Sequence, residues 1–96
     1  MDLPGLWRRH QEAAFPASCL PLSIEGLPLV KLDASVGAIL TASLRTDGVP
    51  RPVGRRDELV RGRDLVRRAL AECALDDEGR AYFERLALLS DALLTG

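Results

Sequence analysis

The sequence predicts an all-α domain, a small four-helix bundle-like fold with an apolar loop or a short β-hairpin between the first two helices. Three observations carry this reading. Four stretches repeat apolar residues at helical spacing. Proline, glycine and aspartate residues punctuate the chain between them. The stretch Ala34 to Leu44 has no charge and no proline, in a chain that elsewhere carries charges densely. With 96 residues the chain is read as one domain, residues 1–96. A chain of this size buries roughly 60–65% of its unfolded surface, enough for one core but not for a large enclosed active site.

Residues 3–14 read as the first helix. Leu3, Leu6, Trp7, His10 and Ala14 fall toward one side, while Arg8, Arg9 and Glu12 lie largely on the other. Asp2 is placed to cap it, Pro4 fits its first turn and Pro16 stops it. Residues 16–32 are apolar without a helical repeat. Leu20, Leu22 and Ile24 alternate, as do Leu27 and Leu29, around Glu25-Gly26. This suits a small hairpin or an apolar loop over the other elements, with Pro28 on an edge.

The central helix is expected to run from Ala34 to Leu44, with Asp33 as its cap and Asp47-Gly48 past its end. Val36, Ile39, Leu40, Ser43 and Leu44 form one face. Ala34, Gly37, Ala38, Thr41 and Ala42 form the other. A helix that is apolar on one side and small on the other is expected to be buried nearly all round, as the spine on which the other helices pack. The same pattern suits pairing with a copy of itself. Residues 46–55 then form a turn-rich surface connection.

Residues 57–74 form the third helix, with Asp57 as cap and a stripe of Leu59, Gly62, Val66, Ala69, Leu70 and Cys73. Asp57–Arg61, Asp64–Arg68 and Arg68–Glu72 are i, i+4 neighbours on its exposed side. Asp76-Asp77-Glu78 opens the last helix, roughly residues 77–94, whose apolar face is Tyr82, Phe83, Leu86, Leu89, Leu93 and Leu94. The short link makes these two helices an antiparallel hairpin.

Composition narrows the function. The formal net charge is −1, so no overall field favours nucleic acid or an acidic membrane. No uncharged run exceeds 12 residues, so no membrane span is expected. Met1-Asp2 opens the chain without a leader pattern, and the two cysteines are too few for a disulfide framework; the cytoplasm is the expected compartment. Lys31 is the only lysine and asparagine is absent, a bias that fits a GC-rich bacterial genome.

No enzyme is expected. His10 is the only histidine and sits toward the apolar side of its helix, where a buried structural role outweighs a catalytic one. Cys19 and Cys73 lack companion ligands, so neither a metal nor a cofactor is expected. Cys73 lies on the core stripe, and Cys19 falls in a loop-like segment that suits exposure. No phosphate loop, dinucleotide fingerprint or small-molecule substrate motif is present.

Two surface features remain. Val60 and Leu88 are expected on exposed helix sides. Ala81, Leu88 and Ala92, spaced seven and four apart, form a weak second apolar strip on the last helix. A helix with apolar residues on two sides is often covered on both. The expected function is therefore a non-enzymatic interaction module, binding a protein partner or pairing as a homodimer through the last or the central helix. The alternative is nucleic-acid binding through Arg56, Arg63 and Arg67, which line one edge of the third helix. A solvated helix edge, or an edge paired with acids of the last helix, explains these arginines more simply, and the acidic start of that helix argues against a major-groove reader.

Overall fold

The computed structural model describes residues 2–45 and 47–95. Met1, where the leader reading begins, Thr46, where the 46–55 connection begins, and Gly96 lie outside them. Among the described residues the chain is mostly helical, with four helices and one two-stranded hairpin.

Helix α1, Leu3–Glu12, starts as expected: the Asp2 carboxylate accepts from the Gly5 amide at 3.1 Å. It ends two residues early, at Glu12, and a single turn of 3-10 helix follows at Ala17–Cys19. The hairpin alternative holds for the next segment. Strands β1, Ser23–Ile24, and β2, Leu27–Pro28, pair antiparallel around Glu25-Gly26. Both turn residues have positive φ, 51° and 78°, as a two-residue turn matched to strand twist requires.

Helix α2 spans Leu29–Ser43 and so begins five residues before the expected start. Its N-cap is Pro28, not Asp33; the fixed φ of proline suits a helix entrance, and the Leu29 amide donates to the Leu22 carbonyl at 2.9 Å. Leu29 and Leu32 extend the apolar face of Val36, Ile39, Leu40 and Ser43 back by two turns, and all six are buried. The opposite face does not behave as expected. Ala34, Ala38, Thr41 and Ala42 are exposed, with Gly37 half-buried.

The chain reverses after α2. The Arg51 amide donates to the Ser43 carbonyl at 2.7 Å and Arg45 to Val49 at 3.0 Å. Gly48, at φ +81°, turns this segment against α1: a Cβ there would lie 2.5 Å from the Cα of Pro4.

Helix α3, Arg56–Glu72, has Arg55 at its N-cap with no side-chain cap bond, so Asp57 lies inside the first turn. Leu59, Gly62, Val66 and Ala69 are buried, while Leu70 and Cys73 are half-buried at the rim. Val60 is half-buried as well and packs on the core. Of the three expected i, i+4 pairs, Arg68–Glu72 forms at 2.9 Å; Arg68 also binds Glu25 of the hairpin turn, and Asp64 pairs with Arg63. Helix α4, Asp77–Thr95, starts where Asp76 accepts from the Gly79 amide at 2.8 Å. That amide holds the Asp76 carboxyl below its ordinary value.

The element touching every other helix is α4, not α2. Helices α1, α2 and α3 each pack on α4, and α2 packs further on α3 and β2. The reason is the supply of apolar area. Helix α4 buries Tyr82, Phe83, Leu86, Leu89, Leu93 and Leu94, whereas the alanine side of α2 offers little surface whose removal from water would draw in another element.

Candidate interaction surfaces and the buried polar cluster

The arginine edge of α3 runs alongside the end of α4, with Arg63 half-buried and Arg56 and Arg67 exposed. Arg56 donates to the carbonyl of Leu94, satisfying an acceptor in the last turn of α4, which the helix leaves without an amide partner. Arg63 donates to Asp91 at 3.2 Å, and Arg67 binds the other oxygen of the same carboxylate. The bonds to Asp91 and Asp64 raise the Arg63 guanidinium above its ordinary value. All three arginines named by the nucleic-acid reading thus have partners within the chain. We expect Asp91→Ala to release Arg63 and Arg67 at a cost of about 1 kcal/mol or less, since the pair is half-exposed. Urea unfolding measures the cost, and a salt-dependent gain in duplex binding would show that the freed arginines can grip phosphate.

The strip on α4 is placed less evenly. Ala81 and Leu88 are exposed and Ala92 is half-buried. Leu88 is a ridge between two shallow clefts. One, about 190 Å³, is lined by Arg67, Leu70, Glu84 and Ala87; the other, about 240 Å³, by Asp2, Gly5, Leu6 and Arg9. Both mix charges of opposite sign with small apolar areas.

The outer face of α2 carries one exposed charge, Lys31 near its start, and is otherwise small and uncharged. Val30, Ala34, Ala38, Thr41 and Ala42 are exposed in succession, and no charged residue lies between Asp33 and Arg45. Asp33 itself is half-buried and accepts a hydrogen bond from the Tyr82 hydroxyl at 2.9 Å. The exposed sides of α1, α3 and α4 all carry Arg, Asp or Glu. Sequence periodicity separates this face from the core side but cannot tell whether alanines are covered, because alanine is common both inside proteins and on helix surfaces.

A polar cluster that the sequence did not announce lies between α1, α2 and α4. His10 is buried, its ring 4.7 Å from that of Tyr82 and 6.3 Å from the indole of Trp7. Phe15 meets Tyr82 edge-on at 5.6 Å. The Arg85 guanidinium lies 5.8 Å from the centre of the Tyr82 ring. Burial, assisted by the Arg85 charge, pushes His10 down to about 4. Burial raises the Asp33 carboxyl, and burial together with the Asp33 bond raises the Tyr82 hydroxyl. In this state a neutral imidazole, a protonated phenol and a carboxylate acceptor are held by packing.

The cysteines correct one expectation. Cys19 is fully buried, with its thiol against the glycine side of α4: a Cβ at Gly79 would lie 2.8 Å from Sγ. Burial raises this thiol, the opposite of activation. Cys73 is half-buried. No group of three or more potential metal ligands occurs among the described residues, and no described helix is long and apolar enough to cross a membrane.

No protein-family model, curated protein or solved structure matches this chain.

Proposed function

We propose that the chain is a protein–protein interaction module that pairs with a second copy of itself across the outer face of α2. The observation that carries this is the exposed run Val30, Ala34, Ala38, Thr41 and Ala42, in which Lys31, near the helix start, is the one charged neighbour and Ala34 to Ser43 carry no charge. Small side chains let two helix axes approach to about 8 Å, close enough for backbone-to-backbone contact. A two-fold axis that runs the two helices antiparallel sets the uncharged stretch from Ala34 to Ala42 against its own copy and leaves the two Lys31 side chains at opposite ends, where they do not repel.

The size of the face sets the strength. A 15-residue helix is about 22 Å long. One such face supplies only a few hundred Å², against roughly 800 Å² per partner in a standard stable interface. The pairing is therefore weak and concentration-dependent, in the micromolar range or above.

Light scattering across a concentration series tests it. The mass rises toward twice the monomer value as concentration increases, Ala38→Glu holds the chain at the monomer, and Leu88→Glu leaves the dimer intact. A wild-type chain that stays monomeric at millimolar concentration removes the proposal. Dissociation by Leu88→Glu but not by Ala38→Glu moves the interface to the Ala81, Leu88 and Ala92 strip.

A further inference from the structure

Helix α1 is tied to the other helices chiefly on one side. It packs on α4, and the Gly48 turn touches it at Pro4. The buried part of the tie is Trp7 and His10, one turn apart and 4% and 8% exposed, with Leu3 and Leu6 packed half-buried on the core beside them. Three nitrogens of this seam, Nε1 of Trp7, Nδ1 of His10 and Nε of Arg85, are buried with no hydrogen-bond partner among the described residues. Burying such groups unpaired opposes the ring packing that holds the seam closed. An element docked in this way opens before the rest of a fold.

The charge that acts on His10 is the Arg85 guanidinium. From α4, Tyr82 and Arg85 face it. From α2, Asp33 meets the cluster at the Tyr82 hydroxyl, which already occupies one of its oxygens. Phe15, between α1 and α4, is apolar, and α1 itself brings Trp7. Arg85 forms no ion pair among the described residues. A proton arriving on His10 therefore gains no carboxylate and meets a guanidinium.

We propose that α1 is a releasable strap: protonation of His10 against Arg85 detaches it from α4, while α2, α3 and α4 stay packed. The inference stands apart from the pairing of α2. Leu40, Leu59, Val66, Leu86 and Leu89 are fully buried, and the helices that carry them pack on one another without α1. The direction follows from linkage. Docked His10 takes up its proton near pH 4, against an ordinary value of 6.5. Docking is at full strength above the ordinary value. It weakens about tenfold per pH unit as pH falls from there, roughly two orders of magnitude before the docked form itself protonates. Release uncovers Trp7 and Tyr82, an aromatic surface hidden at neutral pH.

Trp7 is the only tryptophan, so its emission reports on the seam alone. On acidifying the intact chain from neutrality toward pH 4, we expect a red shift of that emission. Over the same range the helical signal at 222 nm loses no more than the ten residues of α1 account for. His10→Phe, which keeps a ring on Tyr82 and removes the proton site, abolishes the shift; His10→Gln repeats the test with a group that stays uncharged. Arg85→Gln moves the midpoint to lower pH, and Asp33→Asn leaves it in place. The proposal is overturned if Trp7 emission and the helical signal change in one coincident transition, if no red shift occurs above pH 4, if the shift persists in both His10 variants, or if Asp33→Asn moves the midpoint as Arg85→Gln is expected to.

Discussion

Phe83→Ala is expected to lower the unfolding free energy by about 3–5 kcal/mol. A domain of this length has a total stability of about 5–14 kcal/mol, so the variant is brought close to unfolding at room temperature. Phe83 is fully buried on the helix that every other helix touches. Its ring meets Phe15 edge-on at 6.1 Å and Tyr82 at 5.6 Å, so truncation removes transfer energy, leaves a cavity and breaks two aromatic pairs at once. Urea unfolding followed by circular dichroism checks this: the midpoint falls while the slope stays constant. Phe83→Leu keeps most of the volume and costs a fraction of the alanine value. An alanine cost below about 1.5 kcal/mol would mean that Phe83 is not at the centre of the core.

Periodicity made the helical faces legible because each buries a stripe whose spacing is set by the helix itself. Leu59, Val66 and Ala69, or Tyr82, Phe83, Leu86 and Leu89, needed no knowledge of their neighbours to be assigned inward. Asp2 as a cap and Glu25-Gly26 as a turn were readable for the same reason: their partners lie within three residues. What periodicity cannot supply is which element covers which. Asp33 looks like a helix start until Tyr82, 49 positions on, is seen to donate to it. Pro28 looks like the edge of a strand, and it both ends β2 and opens α2. The small residues on the outer face of α2 allow close packing, but allowing contact does not attract a partner, and α4 has more apolar area to offer.

The candidate surfaces divide along the same line. The position of Arg56, Arg63 and Arg67 on one edge of α3 follows from helical geometry alone. That Asp91 and the Leu94 carbonyl wait opposite them depends on the angle at which α3 and α4 pack. Leu88 was recognisable as exposed, being opposite the core stripe of its own helix. The His10 cluster was half visible: the histidine fell on the apolar side of α1, but the arginine that faces it lies 75 residues away, and no local pattern connects the two.

Gly62 meets α2 with no room for a side chain, and a double-mutant cycle with Val36 should expose it. A Cβ at Gly62 would lie 2.6 Å from Cγ2 of Val36, a branched side chain with little freedom to turn away. Alanine in place of an interior helical glycine gains about 1 kcal/mol of propensity. Forcing a methyl group into a filled crossing costs about 1–3 kcal/mol. The second effect wins in the native background, and Gly62→Ala is expected to destabilise by about 1 kcal/mol. Val36→Ala alone costs about 2 kcal/mol, since Val36 is buried with 1% exposure. In that background the obstructing methyl is gone, and Gly62→Ala should stabilise by about 1 kcal/mol, its propensity gain no longer opposed. The reversal of sign amounts to a coupling of about 2 kcal/mol, within the range for residues in direct contact. Urea unfolding of the four proteins measures it. A stabilising Gly62→Ala in the native background, with additive effects in the double variant, would mean that α2 and α3 cross with room to spare and that the glycine is not there to let them meet.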